Sequence, residues 1–264
     1  MQKLVSEIKN PKITIVTVVY NGALNLERTI TSVLNQSYKN IEYVIIDGGS
    51  NDGTLEIISK YQDKIDYWET GSDEGIYDAM NKGLSNSTGN WINFMNSGDV
   101  FFKNDTIESI FSEDWLATKI IYGSVEIIYE DFKRIQLPGP PKSLWKGMQF
   151  SHQSSFIDVE YHKSNLYRKE NKIAADLGFF HNAYSQNKKF SRTNKIVSSV
   201  INGGVSDSHR VQTILDSCNT VCNGKFFPIT RLYYCWKIFD CISRQIIKSL
   251  LPNSIVKKFI LLKK

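Results

Sequence analysis

The sequence has few of the features that mark secreted, membrane-spanning or zinc-binding proteins. Its 264 residues include only four cysteines, all in the last fifth of the chain and none in a C-x-x-C pair. This spacing supports zinc ligation weakly and favours reduced thiols in a reducing compartment. No stretch approaches 18 uncharged apolar residues, and residues 1–12 are polar and lack the apolar segment of a secretory signal. We therefore expect a cytoplasmic protein without a spanning helix.

The charge of the chain is unevenly distributed. Hydrophobic residues make up 41% of the sequence, enough for one large core with an appendage, and charged residues make up 22%. Residues 225–264 contain nine basic side chains and one acidic, a net charge of +8, whereas residues 1–224 carry −3. A nucleic-acid-binding protein would not be divided in this way, so we expect no nucleic-acid partner. The division predicts a folded domain over residues 1–224 and a basic helical tail over 225–264.

Strand-like and helix-like segments alternate through the first hundred residues. Predicted strands are 13–19, 41–46, 65–68 and 91–95, and predicted helices are 24–34, 51–61 and 77–84. Such alternation is typical of an α/β fold, in which a mostly parallel central sheet has helices on both faces. Ligands of these sheets bind beyond the carboxyl ends of the strands.

The second half of the sequence is less regular. The pattern predicts a hairpin over 119–128 that turns at Tyr122-Gly123-Ser124. It also predicts strands at 154–157 and 195–200 and helices at 174–185 and 207–222. The regular alternation therefore covers residues 1–100, and residues 101–224 form an irregular second part.

Three polar clusters follow predicted strands or precede predicted helices. They are residues 47–54, residues 73–83 and the turn Asn96-Ser97-Gly98-Asp99. The first cluster is neither G-x-G-x-x-G nor a P-loop, so it gives no support for those nucleotide folds. A carboxylate in the third could hold Mg²⁺ or Mn²⁺, which prefer oxygen ligands and share them with phosphates. Each cluster by itself also fits an ordinary turn.

Taken in order, these motifs resemble one enzyme family. The motifs are strand 13–20 with Asn21, the segment 44–54, the segment 73–83 (Asp-Glu-Gly-Ile-Tyr-Asp-Ala-Met-Asn-Lys-Gly) and the turn Ser97-Gly98-Asp99. They look like the inverting nucleotide-sugar glycosyltransferases of family 2, with the GT-A fold, of the type that assembles bacterial O-antigen and other surface polysaccharides. Ser151-His152-Gln153, Ala174-Ala175-Asp176 and residues 203–206 extend the resemblance.

The resemblance implies a role for each matching residue on the donor side. Tyr20 and Asp47 would line the nucleoside pocket, and Asp73 and Lys82 would lie beside the nucleotide and its phosphates. The family often has a second acid after the one at position 47, and Gly48 stands there instead. The family's Asp-x-Asp metal motif reads Ser97-Gly98-Asp99. Asp99 is therefore the candidate ligand of Mn²⁺ or Mg²⁺, and Ser97 contributes a hydroxyl at best.

On the acceptor side, Asp176 matches the position of the family's catalytic base. Inverting transfer needs a carboxylate to take the acceptor's proton. The structural alternative for Asp176 is a charge favoured at a helix N-terminus, and Glu170 is a rival base. Four further residues are candidates for contact with acceptor or phosphate: His152, Gln153, Ser206 and Arg210.

The basic tail has the composition of helices that lie in a membrane interface. Residues 232–251 are rich in aliphatic and aromatic side chains, and Lys237, Arg244 and Lys248 are interspersed among them. A helix pair packed on the catalytic body is the alternative. A membrane-bound tail would place the enzyme on the cytoplasmic face of the inner membrane, beside a sugar acceptor linked to a lipid diphosphate.

The resemblance thus implies a metal-dependent glycosyltransferase with a nucleotide-diphosphate sugar donor, UDP-linked, that acts in polysaccharide synthesis. Its catalytic domain would be residues 1–224, with a nucleotide-sugar half over 1–100 and an acceptor half over 101–224. A sugar-1-phosphate nucleotidyltransferase has a similar sheet but would need a Gly-rich, Arg-containing loop after the first strand, where Tyr20-Asn21-Gly22-Ala23 stands. A non-catalytic nucleotide-sugar-binding module at a membrane is the other alternative, against which Asp99 and Asp176 argue.

Overall fold

The computed structural model describes residues 10–203, 209–222 and 227–250. The strands in these residues are β1 (Ile13–Val19), β2 (Ile41–Asp47), β3 (Tyr67–Thr70), β4 (Trp91–Phe94), β5 (Val100–Phe101), β6 (Ile120–Ile128), β7 (Lys133–Gln136), β8 (Ser155–Asp158) and β9 (Phe190–Ile201). They form one mixed sheet in the order β3-β2-β1-β4-β8-β6-β9-β5, and β7 pairs with β6.

Eight α-helices lie in the described residues. They are α1 (Leu26–Leu34), α2 (Thr54–Tyr61), α3 (Ile76–Ser85), α4 (Thr106–Phe111), α5 (Val159–Lys163), α6 (Ala175–Ser185), α7 (Arg210–Cys222) and α8 (Pro228–Leu250). Short 3₁₀ helices lie at Gln62–Lys64, Pro141–Lys146 and His152–Ser154.

Strand β1 is the centre of the amino-terminal half. All seven of its residues are buried, and it pairs in parallel with β2 on one side and β4 on the other. β-Branched side chains favour this doubly covered position because they pack well on a pleated surface. The predicted alternation of strands and helices is confirmed, although β3 begins two residues after the predicted start.

Hydrophobic side chains on the two faces of the sheet form two separate cores. On one face, Ile13 and Ile15 pack with helices α1, α2 and α4. On the other, Val16 and Val18 pack with α3, α5 and α6. Alternate residues of a strand point to opposite faces, so β1 contributes to both cores. The predicted α/β architecture, with helices on both faces of the sheet, is therefore confirmed.

The predicted hairpin at Tyr122-Gly123-Ser124 is wrong. This segment lies inside the single strand β6, where its pairing with β9 shifts register. A Cβ on Gly123 would lie 2.8 Å from the carbonyl oxygen of Lys195 and 2.7 Å from Val197 Cγ2. Glycine is needed here for the close approach of β9, and the turn lies farther along the chain, between β6 and β7.

Helix α8 packs on α7 and on the 3₁₀ helix Pro141–Lys146. Lys237 Nζ donates to the carbonyl oxygen of Lys146 at 2.9 Å, and the rings of Tyr233 and Trp145 meet at 5.3 Å. Tyr234 is buried in the same interface. Among the described helices, none combines the length and the apolar content that a membrane span requires.

Candidate active site

The carboxyl ends of β1, β2 and β4 lie side by side at one edge of the sheet, and we call the site formed by the loops at this edge the cleft. Because these strands are parallel neighbours, their carboxyl ends meet at the same edge of the sheet. This edge carries Tyr20 after β1, Asp47 at the end of β2 and Asn96 after β4. The loops after β1 and β2 are tied together: Ser50 Oγ accepts from the amide of Asn21 at 2.7 Å. The ring of Tyr20 is 67% exposed and forms an open aromatic surface at this edge.

Asp47 holds the loop that follows β2. Its Oδ2 accepts hydrogen bonds from the amides of Gly49 and Ser50, both at 3.0 Å, and from Thr70 Oγ1 at 2.6 Å. Its Oδ1 accepts from the Ser50 hydroxyl. The carboxylate is 1% exposed, so it shapes the wall of the cleft from inside. Its predicted contact with a nucleoside stays a prediction.

Asp73 occupies the space that a side chain at position 48 would take. A Cβ built on Gly48 would lie 2.6 Å from Asp73 Oδ2 and 3.4 Å from Tyr20 Cδ2. The other oxygen, Oδ1, accepts from the amide of Gly75 at 2.8 Å, which fixes the carboxylate. The structure therefore places a carboxylate beside the Tyr20 ring even though Gly48 carries none.

Lys82 lies on α3 behind the same loop. Its Nζ donates to the carbonyl oxygen of Ser72 at 3.0 Å and lies 3.5 Å from Asp78 Oδ2. A second lysine, which the sequence patterns did not single out, lies nearby: Lys169 Nζ is 3.1 Å from both Asp78 Oδ1 and Glu74 Oε2. The loop before α3 is thus held by ion pairs, and the phosphate contact predicted for Lys82 stays a prediction.

Asp99 lies in the turn after β4. The hydroxyl of Thr29 on α1 donates to its carbonyl oxygen at 2.8 Å and accepts from the amide of Gly98 at 2.9 Å. Gly98 has a φ of 97°, the left-handed region that favours glycine. Gln153 Nε2 donates to Asp99 Oδ2 at 2.7 Å. Burial raises the pKa of Asp99 to about 6, and the hydrogen bond from Gln153 acts in the opposite direction.

The oxygen atoms around this turn fit a hard divalent cation. Asn96 Oδ1 and Ser97 Oγ are buried without a hydrogen-bond partner in the described part of the chain. Both residues precede Asp99 in the same turn. Such unsatisfied buried oxygens need an explanation, and a cation is one. Within the described ranges, no three His, Cys, Asp or Glu side chains gather at a metal-binding distance. A cation held by Asp99 would therefore take most of its ligands from phosphates and water.

Asp176 lies in the first turn of α6, 8% exposed. Its Oδ2 is 3.2 Å from His152 Nδ1, and its Oδ1 is 3.1 Å from the hydroxyl of Tyr77. Burial and the Asp176 charge raise the pKa of Tyr77, so that hydroxyl stays protonated and can donate. His152 Nε2 in turn lies 3.1 Å from Asn96 Nδ2. The structure brings Asp99, Gln153, His152 and Asp176 together.

Several of these partners carry no local signal in the sequence. Tyr77 precedes Asp176 by 99 residues, and Asn96 precedes His152 by 56. Of the remaining candidates, Glu170 is exposed in the turn before α6. Arg210 begins α7, and Ser206 lies outside the described residues.

Sequence comparison identifies relatives over the amino-terminal part of the chain. Residues 14–184 match the family described as glycosyl transferase family 2. An uncharacterised glycosyltransferase of Mycobacterium tuberculosis is 30% identical over 153 residues, 56% of this chain and 58% of that protein. One from Haemophilus influenzae is 42% identical over 101 residues, 37% and 40% of the two chains. The match thus spans less than two thirds of these relatives' length.

Solved structures extend the likeness to most of the fold. S. aureus TarS in complex with UDP-GlcNAc superposes with a TM-score of 0.63 at 16% identity, over 82% of this chain and 68% of that one. The mannosyltransferase PcManGT from Pyrobaculum calidifontis, in complex with GDP-Man and Mn²⁺, gives 0.61 at 13% identity, over 84% and 67%. The family match covers well over half of the sequence, and the sheet has the architecture of these enzymes. The chain therefore belongs to glycosyl transferase family 2 and has the GT-A fold.

Proposed function

We propose that this protein transfers a sugar from a UDP-linked donor to an acceptor hydroxyl with inversion at the anomeric carbon. The observation that carries the proposal is the pair of carboxylates at the cleft, Asp99 and Asp176. The adjacent residues Gln153 and His152 form hydrogen bonds to them. In the proposed reaction Asp99 would act on the diphosphate side, and Asp176 would serve as the base. Nucleotide-sugar complexes of TarS and PcManGT support a donor of this class.

In this mechanism the acceptor oxygen attacks the anomeric carbon while the bond from that carbon to the diphosphate breaks. Asp176 accepts the proton of the attacking hydroxyl, held in place by Tyr77 and His152. Asp99, with oxygens of Asn96 and Ser97 beside it, would hold Mn²⁺ or Mg²⁺. When bound, the cation offsets the negative charge that grows on the leaving diphosphate.

Asp73 supports uracil as the base of the donor. Its carboxylate beside the exposed Tyr20 ring could accept a hydrogen bond from a planar heterocycle stacked on that ring. Uracil presents an N3–H donor, whereas cytosine presents a bare N3 acceptor. Asp73 would thereby supply the carboxylate that the family often has at the position of Gly48.

Helix α8 supports a membrane-held acceptor. Its most exposed apolar side chains recur at intervals of three, four or seven residues and so share one face, opposite buried Tyr234. They are Ile229, Leu232, Trp236, Phe239, Ile246 and Leu250, each between 55% and 77% exposed. The net charge of +8 over residues 225–264 also suits an anionic bilayer.

We accordingly propose that the protein lies on the cytoplasmic face of the inner membrane and elongates a sugar attached to a lipid diphosphate, in the synthesis of O-antigen or another surface polysaccharide. The four free thiols agree with a reducing compartment.

A donor screen tests the reaction. UDP-, GDP- and dTDP-sugars are incubated with Mn²⁺ and a synthetic lipid-diphosphate sugar, and nucleoside diphosphate release is measured. We expect turnover with a UDP-sugar, and we expect Asp176→Asn to lower kcat by about 10²–10⁴-fold with UDP affinity retained, because only proton transfer is lost. Glu170→Gln is the matched control and should keep kcat within about twofold. No turnover with any donor, or full activity of Asp176→Asn, would contradict the mechanism.

The role of Asp73 is tested by moving its carboxylate. Asp73→Asn should lower the preference for UDP over CDP by about tenfold or more, because a charged hydrogen-bond acceptor is lost. Gly48→Asp combined with Asp73→Gly should restore the preference, since the carboxylate returns from the neighbouring position. Isothermal titration with both nucleotides measures it, and Glu74→Gln is the control. An unchanged preference in Asp73→Asn would show that another group reads the base.

The raised pKa of Asp99 predicts a pH-dependent difference in stability. The folded protein binds the Asp99 proton more tightly than the unfolded chain does. Once the pH is high enough to ionise the carboxyl in the unfolded chain, the free energy of unfolding falls with rising pH until the folded carboxyl is ionised as well. Relative to Asp99→Asn, the parent protein should lose stability as the pH rises from about 4 through about 6, and the difference should then level off. Urea unfolding with a chelator present measures this, with exposed Asp63→Asn as the control. A difference that is constant with pH would contradict the raised pKa.

Membrane binding is tested on the exposed face of α8. Trp236→Ser with Phe239→Ser should weaken binding to phosphatidylglycerol-containing vesicles by about tenfold or more, because two large apolar side chains no longer leave water. Gln245→Ser, on an exposed polar position of the same helix, should have no effect. Co-sedimentation measures binding. If the parent protein ignores vesicles and instead forms a dimer that these substitutions dissociate, the face binds a second copy.

A further inference from the structure

His152 and Gln153 are held at the cleft by the backbone beneath them. They lie in the single 3₁₀ turn before β8, and β8 pairs antiparallel with β4. The side-chain amide of Asn93, on β4 and fully buried, donates to the carbonyl oxygens of Gln153 and Ser155 at 3.0 and 2.9 Å. The start of this segment is therefore fixed against the strand that leads into the Asp99 turn.

The imidazole of His152 connects the two sides of the cleft. Its Nδ1 lies 3.2 Å from Asp176 Oδ2, and its Nε2 lies 3.1 Å from Asn96 Nδ2. A carboxylate can only accept and an amide nitrogen can only donate, so the ring carries its proton on Nδ1 and presents a lone pair at Nε2. Both ring nitrogens are thus bonded to protein groups, one on α6 and one on the turn after β4.

Gln153 contacts the second carboxylate. Its Nε2 donates to Asp99 Oδ2 at 2.7 Å, and its Oε1 accepts from the hydroxyl of Ser151, so the amide orientation is set from both ends. Two adjacent side chains therefore bind two different carboxylates.

We propose that His152 and Gln153 are positioning residues: His152 orients the base Asp176 relative to the diphosphate side of the cleft, and Gln153 orients Asp99. This inference rests on the proposed function. It replaces the direct contact with acceptor or phosphate that the sequence predicted for these residues. His152 keeps its own proton throughout, and the proton of the acceptor goes to Asp176. A base displaced by about 1 Å loses much of its rate, so the His152 contact affects turnover rather than binding.

Epistasis with Asp176 tests the role of His152. We expect His152→Ala to lower kcat by about 10–100-fold while the affinity for UDP in the presence of Mn²⁺ stays within about twofold. In the Asp176→Asn background the same substitution should cause no further loss, because the group through which His152 acts is already removed. Losses that multiply in the double variant would overturn the proposal, and so would a fall in UDP affinity as large as the fall in kcat.

Conservative variants separate positioning from a general structural role. In His152→Asn the introduced amide nitrogen can lie where Nδ1 lies and donate to Asp176, whereas His152→Gln extends its amide towards the former position of Nε2. We expect His152→Asn to recover most of kcat and His152→Gln to recover little. Thermal unfolding midpoints and circular dichroism check that each variant folds. Equal activity of the two variants, or activity that follows the unfolding midpoint alone, would overturn the proposal.

The Gln153 contact has its own readout. Gln153→Ala should weaken Mn²⁺-dependent binding of UDP, and it should add nothing in an Asp99→Ala background, measured by titration calorimetry without turnover. Additive losses would overturn this half of the proposal. If the parent protein turns over no donor, the proposed function and this inference fail together. If it does and Asp176→Asn is impaired, but the epistasis is missing, only the inference fails.

Discussion

The parallel pairing of β1 with β2 and with β4 is the constraint on which the site depends. It brings three carboxyl ends to one edge of the sheet. The donor-side candidates lie at that edge or in the loop before α3, except Lys82, which lies on α3. The antiparallel addition of β8 beside β4 then brings His152 and Gln153 to the same edge. A different strand order would leave Asp99 and Asp176 on separate parts of the surface.

The four carboxylates around the cleft have different chemistry because they have different neighbours. Asp47 accepts hydrogen bonds from its own loop and from Thr70 and is buried by them. Asp73 keeps one oxygen directed at the space above Gly48. Asp99 is half-buried and accepts one hydrogen bond from an amide, and burial raises its pKa to about 6. Asp176 is bonded on both oxygens and so is fixed in orientation. The burial of a carboxylate and the number of hydrogen bonds it accepts thus decide whether it holds its own loop or stays available to a ligand.

The surface of α8 is the other feature that needs a partner. Its inner face packs on α7 and on the 3₁₀ helix at Pro141–Lys146, and large apolar side chains on its outer face are exposed. Exposed apolar patches of this kind usually mark an interaction surface. The 3₁₀ helix at Pro141–Lys146 belongs to residues 101–224, the predicted acceptor half, so a membrane bound by α8 would lie against that predicted half.

The sequence by itself determined the secondary structure of the first hundred residues, because buried β-branched runs and amphipathic helices are local patterns. It also determined the order of the polar clusters and hence the family. It failed at Gly123, where glycine serves a close strand contact instead of a turn. Only the tertiary structure decided that Asp73 fills the place of the missing acid at Gly48, and that Tyr77 and His152 hold Asp176. These contacts join residues 24 to 99 positions apart along the chain, and such pairs leave no periodic signal because they depend on sheet order.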